Sequence, residues 1–155
     1  MLPSRRAPSV SESRRPDMWR DLTETDLAGT LSEKEIAAYR QSAAGAEGGD
    51  PIAALLTRTA RLVRSYIRAG GRVSLPSDDA SIPEAMVSPA CDYAAFDVLK
   101  RMPVAVGEDR RRAREQAIAM FERLADGRVV PESPDGEDSA SERRASYLHR
   151  RRLLD

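Results

Sequence analysis

The side chains that most often carry catalysis are scarce in this sequence. The one histidine, His149, stands close to the C-terminal end, so a histidine-based triad inside a folded domain is excluded. The one cysteine, Cys91, lies in an apolar helical segment, where a buried and inert thiol is expected. Asp92 and Asp97 are five residues apart on a predicted helix and do not share a face. No phosphate-binding glycine loop and no zinc-ligand spacing occur. We therefore predict a protein that is not an enzyme and uses no cofactor or metal.

The sharpest charged motif is a cluster of arginines at the start of a predicted helix, formed by Arg110, Arg111, Arg112 and Arg114. Cations at a helix N-terminus oppose the helix dipole, which hints at an external partner. Phosphate binding is one interpretation, but Glu108, Asp109 and Glu115 surround the cluster. We favour a solvated helix start or a salt-bridge face between subunits.

The C-terminal arm ends in a second candidate site. Residues 132–146 have too little apolar content to fold and are expected to act as a tether. The last residues concentrate apolar and basic groups, and a helix over 142–154 would align several of them on one face, the pattern of a helix laid in a groove. The predicted docking residues are Tyr147, Leu148, Arg150, Arg151, Leu153 and Leu154. A basic tail without a specific role is the alternative.

Composition restricts the class of protein. Lys+Arg and Asp+Glu number 25 each, so the formal net charge is zero, which argues against a free-standing nucleic-acid binder. A single cysteine excludes an intrachain disulfide and fits a reducing compartment. No apolar run is long enough to span a membrane, and no secretory signal opens the chain. We expect no membrane partner.

The rest of the chain is organised around one long amphipathic helix at residues 50–71. Asp50 and Pro51 provide its start, and Gly70-Gly71 its left-handed end. Its predicted inner face is apolar apart from Thr59, while its four arginines are expected to lie in solvent on the flanks. The apolar positions are Ile52, Leu55, Leu56, Leu62, Val63, Tyr66 and Ile67.

Four further helices are predicted around this one. Thr23 and Ser32 open two short helices with capping boxes, the second extending to about residue 43. Helix 82–102 is apolar nearly all round, so we expect it to be the most buried, and helix 108–126 follows. Short strands are conceivable at 72–75 and 128–131. The predicted fold is therefore all-α, a compact bundle of four to five helices with extended arms. The domain boundaries are a flexible N-terminal arm at 1–20, a helical domain at 21–131 and a C-terminal arm at 132–155.

This order of elements resembles the small head–tail connector proteins of tailed bacteriophages and gene-transfer agents, also described as adaptor or head-completion proteins. The resemblance covers roughly 20–131. It lies in an opening LTETDL, a long helix ending in Ile-Arg, an Ile-Pro-Glu before an Ala-rich helix with Tyr93, a charged helix with Phe121 and Leu124, and a closing Gly-Arg-Val at 127–129.

The resemblance implies a structural virion protein in the neck of the particle. Such a protein assembles as a homo-oligomeric ring, commonly a dodecamer, below the portal protein. It extends the DNA channel, with DNA only as passing cargo, and it offers a platform to the tail or stopper protein. The arginines of the C-terminal arm would then meet acidic groups on the portal. The rival hypothesis is a small helical DNA-binding regulator that uses its arginine clusters on DNA.

Overall fold

The computed structural model describes residues 18–43 and 48–134, and these form a mostly helical bundle, which confirms the predicted fold class. Five α-helices and one two-stranded sheet occur in this part of the chain. In chain order the elements are β1 (Trp19–Asp21), α1 (Glu24–Ala28), α2 (Glu33–Ala43), α3 (Pro51–Gly70), β2 (Ser81–Pro83), a 3-10 turn (Glu84–Met86), α4 (Val87–Leu99) and α5 (Glu108–Ala125).

The predicted capped starts of α1, α2 and α3 are confirmed in atomic detail. The Thr23 hydroxyl accepts a hydrogen bond from the Asp26 amide, and the Asp26 carboxylate accepts one from the Thr23 amide, which is the expected capping box of α1. Ser32 and Glu35 make the same reciprocal pair at α2. At α3, the Ile52 amide donates to Asp50 Oδ1 over 3.1 Å. Each cap satisfies amides that would otherwise lack a partner.

Helix α3 lies at the centre of the core, as predicted, but its buried face is rotated from the predicted stripe. Ile52, Leu55 and Val63 are essentially inaccessible, whereas Leu62 and Tyr66 are only partly buried. Thr59 is buried and donates its hydroxyl hydrogen bond to the Leu55 carbonyl, so it belongs to the core. Truncation of Leu62 should therefore cost less than truncation of Val63.

The short strands occur at other positions than the sequence suggested. β1 pairs antiparallel with β2, with Trp19 opposite Pro83 and Asp21 opposite Ser81. The segments 72–75 and 128–131 form no strand, so the short strands suggested there are wrong. Residues 19 and 20, assigned to the N-terminal arm, are part of this sheet, and Trp19 packs in the core.

Helix α4 is shorter than the predicted helix 82–102 because residues 81–83 are extended and the next three form a 3-10 turn. Ser81 does not cap α4, because it lies in β2 and its hydroxyl donates to Asp78 Oδ2 over 2.8 Å. Pro89 lies in the first turn of α4, where a missing amide hydrogen leaves no helical bond unmade. Burial of α4 is confirmed, with Ala90, Ala94, Ala95 and Val98 fully buried.

The two glycines that end α3 have different roles. Gly71 has φ +60° and is the left-handed cap, as predicted. Gly70 is the last helical residue, and a Cβ there would lie 2.2 Å from the backbone oxygen of Leu124 at the end of α5. Gly70 thus permits the backbones of α3 and α5 to approach closely.

We expect Gly70→Ala to lower the free energy of unfolding by about 1–3 kcal/mol, because the added methyl group must push α5 away from α3. Ala69→Ser, one position earlier on the exposed side of the helix, is the matched control and should change it by less than about 0.5 kcal/mol. Urea denaturation of both variants measures the difference. Equal stability of Gly70→Ala and the unmodified protein would contradict the close approach.

Candidate docking surfaces

The two ends of the described chain meet at one place on the domain. The indole Nε1 of Trp19 donates a hydrogen bond of 2.7 Å to the backbone oxygen of Glu132, across 113 positions of sequence. The Trp19 ring is itself 9% exposed. Residues 1–17 and the C-terminal arm therefore both connect to the domain beside strand β1.

An ion-pair cluster fixes strand β1 against α1 and the turn before α4. The Arg20 guanidinium donates to both oxygens of Asp26, at 2.7 and 2.8 Å, and to Glu84. Hydrogen bonds from Arg20, with those from Thr23, hold the pKa of Asp26 well below its usual range. The carboxylates of Asp26 and Glu84 in turn raise the pKa of Arg20. The cluster connects residues that are distant in sequence, so it orients the strand from which the N-terminal segment departs.

The Asp26 carboxylate should make stability depend on pH. Its pKa is lower in the folded protein than in the unfolded chain. The ionised Asp26 carboxylate therefore stabilises the fold fully above its pKa in the unfolded chain, about 3.9, and this stabilisation is lost as the pH falls towards and through its pKa in the folded protein. We expect Asp26→Asn to cost about 1–2 kcal/mol at neutral pH, through the weakened capping box and Arg20 pair. Thermal melts from pH 7 down to 2 should show the deficit shrinking below about pH 4. A deficit that is independent of pH would contradict this role of the charge.

A second arginine joins three helices on the neighbouring surface. Arg40 of α2 donates to both carboxylate oxygens of Glu24 in α1 and to both of Asp50 at the start of α3. Its hydrogen bonds are the main reason that the pKa of Asp50 is lowered. The carboxylates of this face are therefore already paired within the domain.

Arg64 is buried, although its spacing on α3 indicated an exposed side chain. It was expected in solvent on the flank of α3, but its side chain is 6% exposed. Its guanidinium donates to the backbone oxygens of Ser81 at 2.7 Å and Pro76 at 2.9 Å, and to that of Asp78. Asp78 Oδ1 lies 3.7 Å away. Arg64 thus holds the loop between α3 and β2 in place.

The predicted arginine cluster of α5 is divided between the interior and the surface. Arg110 is half-buried and donates to the Thr30 oxygen. Arg114 is also half-buried, with its guanidinium carbon 5.3 Å from the centre of the Tyr93 ring and 4.9 Å from that of Phe96. Arg111 and Arg112 are exposed, with Glu108 3.8 Å from Arg111. The four side chains point in different directions, as neighbouring side chains on a helix do, and Arg111 and Arg112 are the two that lie in solvent. The charged face between subunits stays a prediction.

The remaining predicted positions fall into two groups. Tyr147, Leu148, Arg150, Arg151, Leu153 and Leu154 lie outside the described residues. Cys91 is buried, and burial raises the pKa of its thiol to about 12. Asp97 pairs with Lys100 at 2.7 Å, while burial raises the pKa of Asp92.

In the described part of the chain, no group of three or more His, Cys, Asp or Glu residues could hold a metal ion. No helix there is long and apolar enough to cross a membrane.

Comparison with known proteins shows similarity to a bacteriophage protein family. The family model described as Bacteriophage Mu, Gp36 matches residues 22–149, most of the chain. No curated protein and no solved structure gives a significant match. The match begins at the start of α1 and continues through the helical domain into the C-terminal arm.

Proposed function

The chain belongs to the bacteriophage Mu Gp36 family, and from this membership we propose that it is a structural protein of the virion neck, a head–tail adaptor. In this role it forms a ring below the portal protein, commonly of twelve copies, which extends the DNA channel and receives the tail or stopper protein. It acts by binding partners and not by catalysis. A gene-transfer agent is an equally suitable particle for the same role.

The observation that supports this role best is the common departure point of the two terminal segments. The hydrogen bond from Trp19 to the Glu132 backbone brings residues 18 and 132 to one side of the domain. Two segments rich in polar residues, of 17 and 23 residues, join the domain at these positions. An adaptor needs such segments because they can dock on neighbouring proteins while the helical domain maintains the ring.

Contacts between copies would use exposed charged side chains that make no strong hydrogen bond or ion pair within their own domain. Arg111 and Arg112 of α5 fit this description, with Glu108, Asp109 and Glu115 beside them. Arg110 and Arg114 act within each subunit, since both are held by groups of the same domain. Exposed ion pairs between copies weaken with salt, so ring formation should too.

Native mass measurement of the purified protein, alone and with purified portal protein, tests the ring. We expect a closed oligomer, or a monomer that assembles only on the portal. Arg111→Gln with Arg112→Gln should weaken the oligomer, while Lys34→Gln, an exposed cation on α2, serves as the control. A monomer that ignores the portal would refute the proposal. A shift that requires DNA and has a steep salt dependence would instead support the rival DNA-binding regulator.

The C-terminal arm is the proposed portal anchor. Deleting residues 140–155 should leave the melting of the helical domain unchanged and abolish attachment to portal-bearing capsids. Tyr147→Ala with Leu148→Ala should reproduce most of that loss, because buried aromatic and aliphatic groups usually dominate such contacts. Ser139→Ala with Ser141→Ala is a control in the same arm. Attachment of the truncated protein at the level of the full chain would exclude the arm as the anchor.

A further inference from the structure

The loop between α4 and α5 presents apolar side chains to solvent. Pro103, Val104 and Ala105 are exposed, and Val106 is only partly buried. Val104 is 65% exposed, the highest value for a large hydrophobic side chain in the described part of the chain. Consecutive exposed apolar residues are unfavourable unless a function requires them, and exposed apolar patches commonly mark binding sites. We term residues 103–106 the apolar loop.

Both ends of the apolar loop are fixed on the domain. Directly before it, Met102 packs against the core, and the guanidinium carbon of Arg101 lies 6.0 Å from the centre of the Tyr39 ring on α2. Shortly after it, the Arg110 side chain donates to the oxygen of Thr30 in the turn before α2. A short loop anchored in this way loses little conformational freedom when it binds a partner.

A cavity elsewhere on the domain offers an apolar floor. It has a volume of about 250 Å³ and lies where the start of α1 meets the first two turns of α3. Leu22, Ile52 and Leu56 line it, together with the exposed Ala53. One water molecule occupies about 30 Å³ in the liquid, so the cavity has room for a branched apolar side chain. We term it the α1–α3 cavity.

The α1–α3 cavity and the apolar loop lie in surroundings of opposite charge. Among the described residues that line the cavity are Asp21, Glu24 and Asp50, and none of them is Lys or Arg. Arg40 pairs with both Glu24 and Asp50, so one guanidinium serves two carboxylates, and the described residues provide no ion pair to Asp21. Around the apolar loop, residues 100–112 contain five Lys or Arg and two Asp or Glu. Complementary charge of this kind orients two proteins as they associate.

Helix α2 lies between the two features. Its Tyr39 ring is beneath Arg101, at the base of the apolar loop, whereas its Arg40 side chain binds the two carboxylates at the cavity. Consecutive residues of an α-helix point about 100° apart, so the loop and the cavity lie on different sides of α2. One subunit therefore presents both at once. Two unlike patches on each subunit make a head-to-tail contact, which closes into a ring when the rotation between subunits permits.

We propose that the apolar loop of one subunit inserts into the α1–α3 cavity of the next, with Val104 as the side chain that enters the cavity. The partner that this surface fits is a second copy of the chain. The inference rests on the homo-oligomer of the proposed function, and it identifies the contact that joins neighbouring subunits.

Disulfide formation between two chains with one added cysteine each tests the contact. One full-length chain carries Val104→Cys and the other Ala53→Cys, and Cys91 does not compete because it is buried. After mild oxidation of an equal mixture, with and without purified portal protein, we expect a disulfide-linked dimer that contains one chain of each kind. Each chain oxidised alone should remain a monomer on a non-reducing gel. The matched control is Ala69→Cys, exposed on the other side of α3, which should form no dimer with Val104→Cys.

The possible results separate the loop contact from the adaptor role. A dimer of two Val104→Cys chains would indicate a two-fold contact and overturn the proposal, as would equal yields with Ala53→Cys and Ala69→Cys. If native mass measurement shows a ring and the mixture gives no mixed dimer, the subunits meet elsewhere, so the loop contact is wrong while the adaptor role stands. If the mixed dimer forms but no ring is found, alone or on the portal, the loop contact is right and the adaptor role fails.

A charge placed on the loop gives a second test. Val104→Asp should weaken self-association at least about tenfold, because it brings a carboxylate to an acidic cavity. Its melting as a single chain should not change, since Val104 is mostly exposed. Val130→Asp, at a valine that is 37% exposed, is the matched control and should associate normally. Sedimentation velocity, with portal protein where assembly requires it, measures both. If Val104→Asp associates like the unmodified chain, or loses only its binding to the portal, the loop does not join the subunits and the proposal is refuted.

Discussion

Phe121→Ala is expected to lower the free energy of unfolding by about 3–5 kcal/mol, a large part of the stability of a domain of this size. Phe121 is fully buried on α5, with its ring centre 5.7 Å from that of Tyr66 on α3 and 6.1 Å from that of Tyr93 on α4. Truncation removes apolar area from three packed helices at once and leaves a cavity that rigid backbones fill poorly.

Denaturant unfolding of three variants resolves this contribution. Phe121→Leu preserves most of the side-chain volume and should lower the free energy of unfolding by less than about 1.5 kcal/mol. Val104→Ala removes apolar atoms from a side chain that is 65% exposed and should change stability by less than about 0.5 kcal/mol. If Phe121→Ala were as mild as Val104→Ala, α5 would not be part of the core.

Arg64→Ala is the second substitution with a large expected effect, at least about 3 kcal/mol. It removes a buried guanidinium and leaves the backbone oxygens of Ser81 and Pro76 without that donor. Each buried acceptor left unsatisfied costs about 1–3 kcal/mol. The loop between α3 and β2 should loosen, and β1 with it, because β1 pairs with β2.

Hydrogen exchange distinguishes this effect from a general loss of stability. The amides of Ala80 and Ser81 donate to Asp78. Relative to the unmodified protein, Arg64→Ala should increase their exchange rates more than it increases those of amides in the middle of α3. Arg64→Lys retains the charge but not the forked geometry, so partial recovery is expected. Arg68→Ala, one turn later and exposed, is the control and should change stability by less than about 0.5 kcal/mol. Equal effects at positions 64 and 68 would contradict the buried role of Arg64.

The sequence by itself determined the existence of the helices and the capped starts of α1, α2 and α3. Helix capping depends on neighbours within a few residues, so Thr23, Ser32 and Asp50 could be identified as N-caps from residue type and spacing alone. The periodic apolar face of α3 and the uniformly apolar α4 indicated the core in the same way. The all-α class follows from these local features, since each helix must cover its apolar face with another.

Only the tertiary structure decided which polar groups were buried and which distant segments met. Arg64 has the same spacing as its exposed neighbours on α3, and it is buried because the loop before β2 offers it three carbonyls. Gly70 resembles a simple helix stop, and the approach of α5 gives it a packing role. The strands β1 and β2 are three residues each, too short for a periodic signal, and they exist because residues 19–21 find residues 81–83 across the fold. Contacts of this kind depend on the relative placement of whole helices, which no local pattern of residues records.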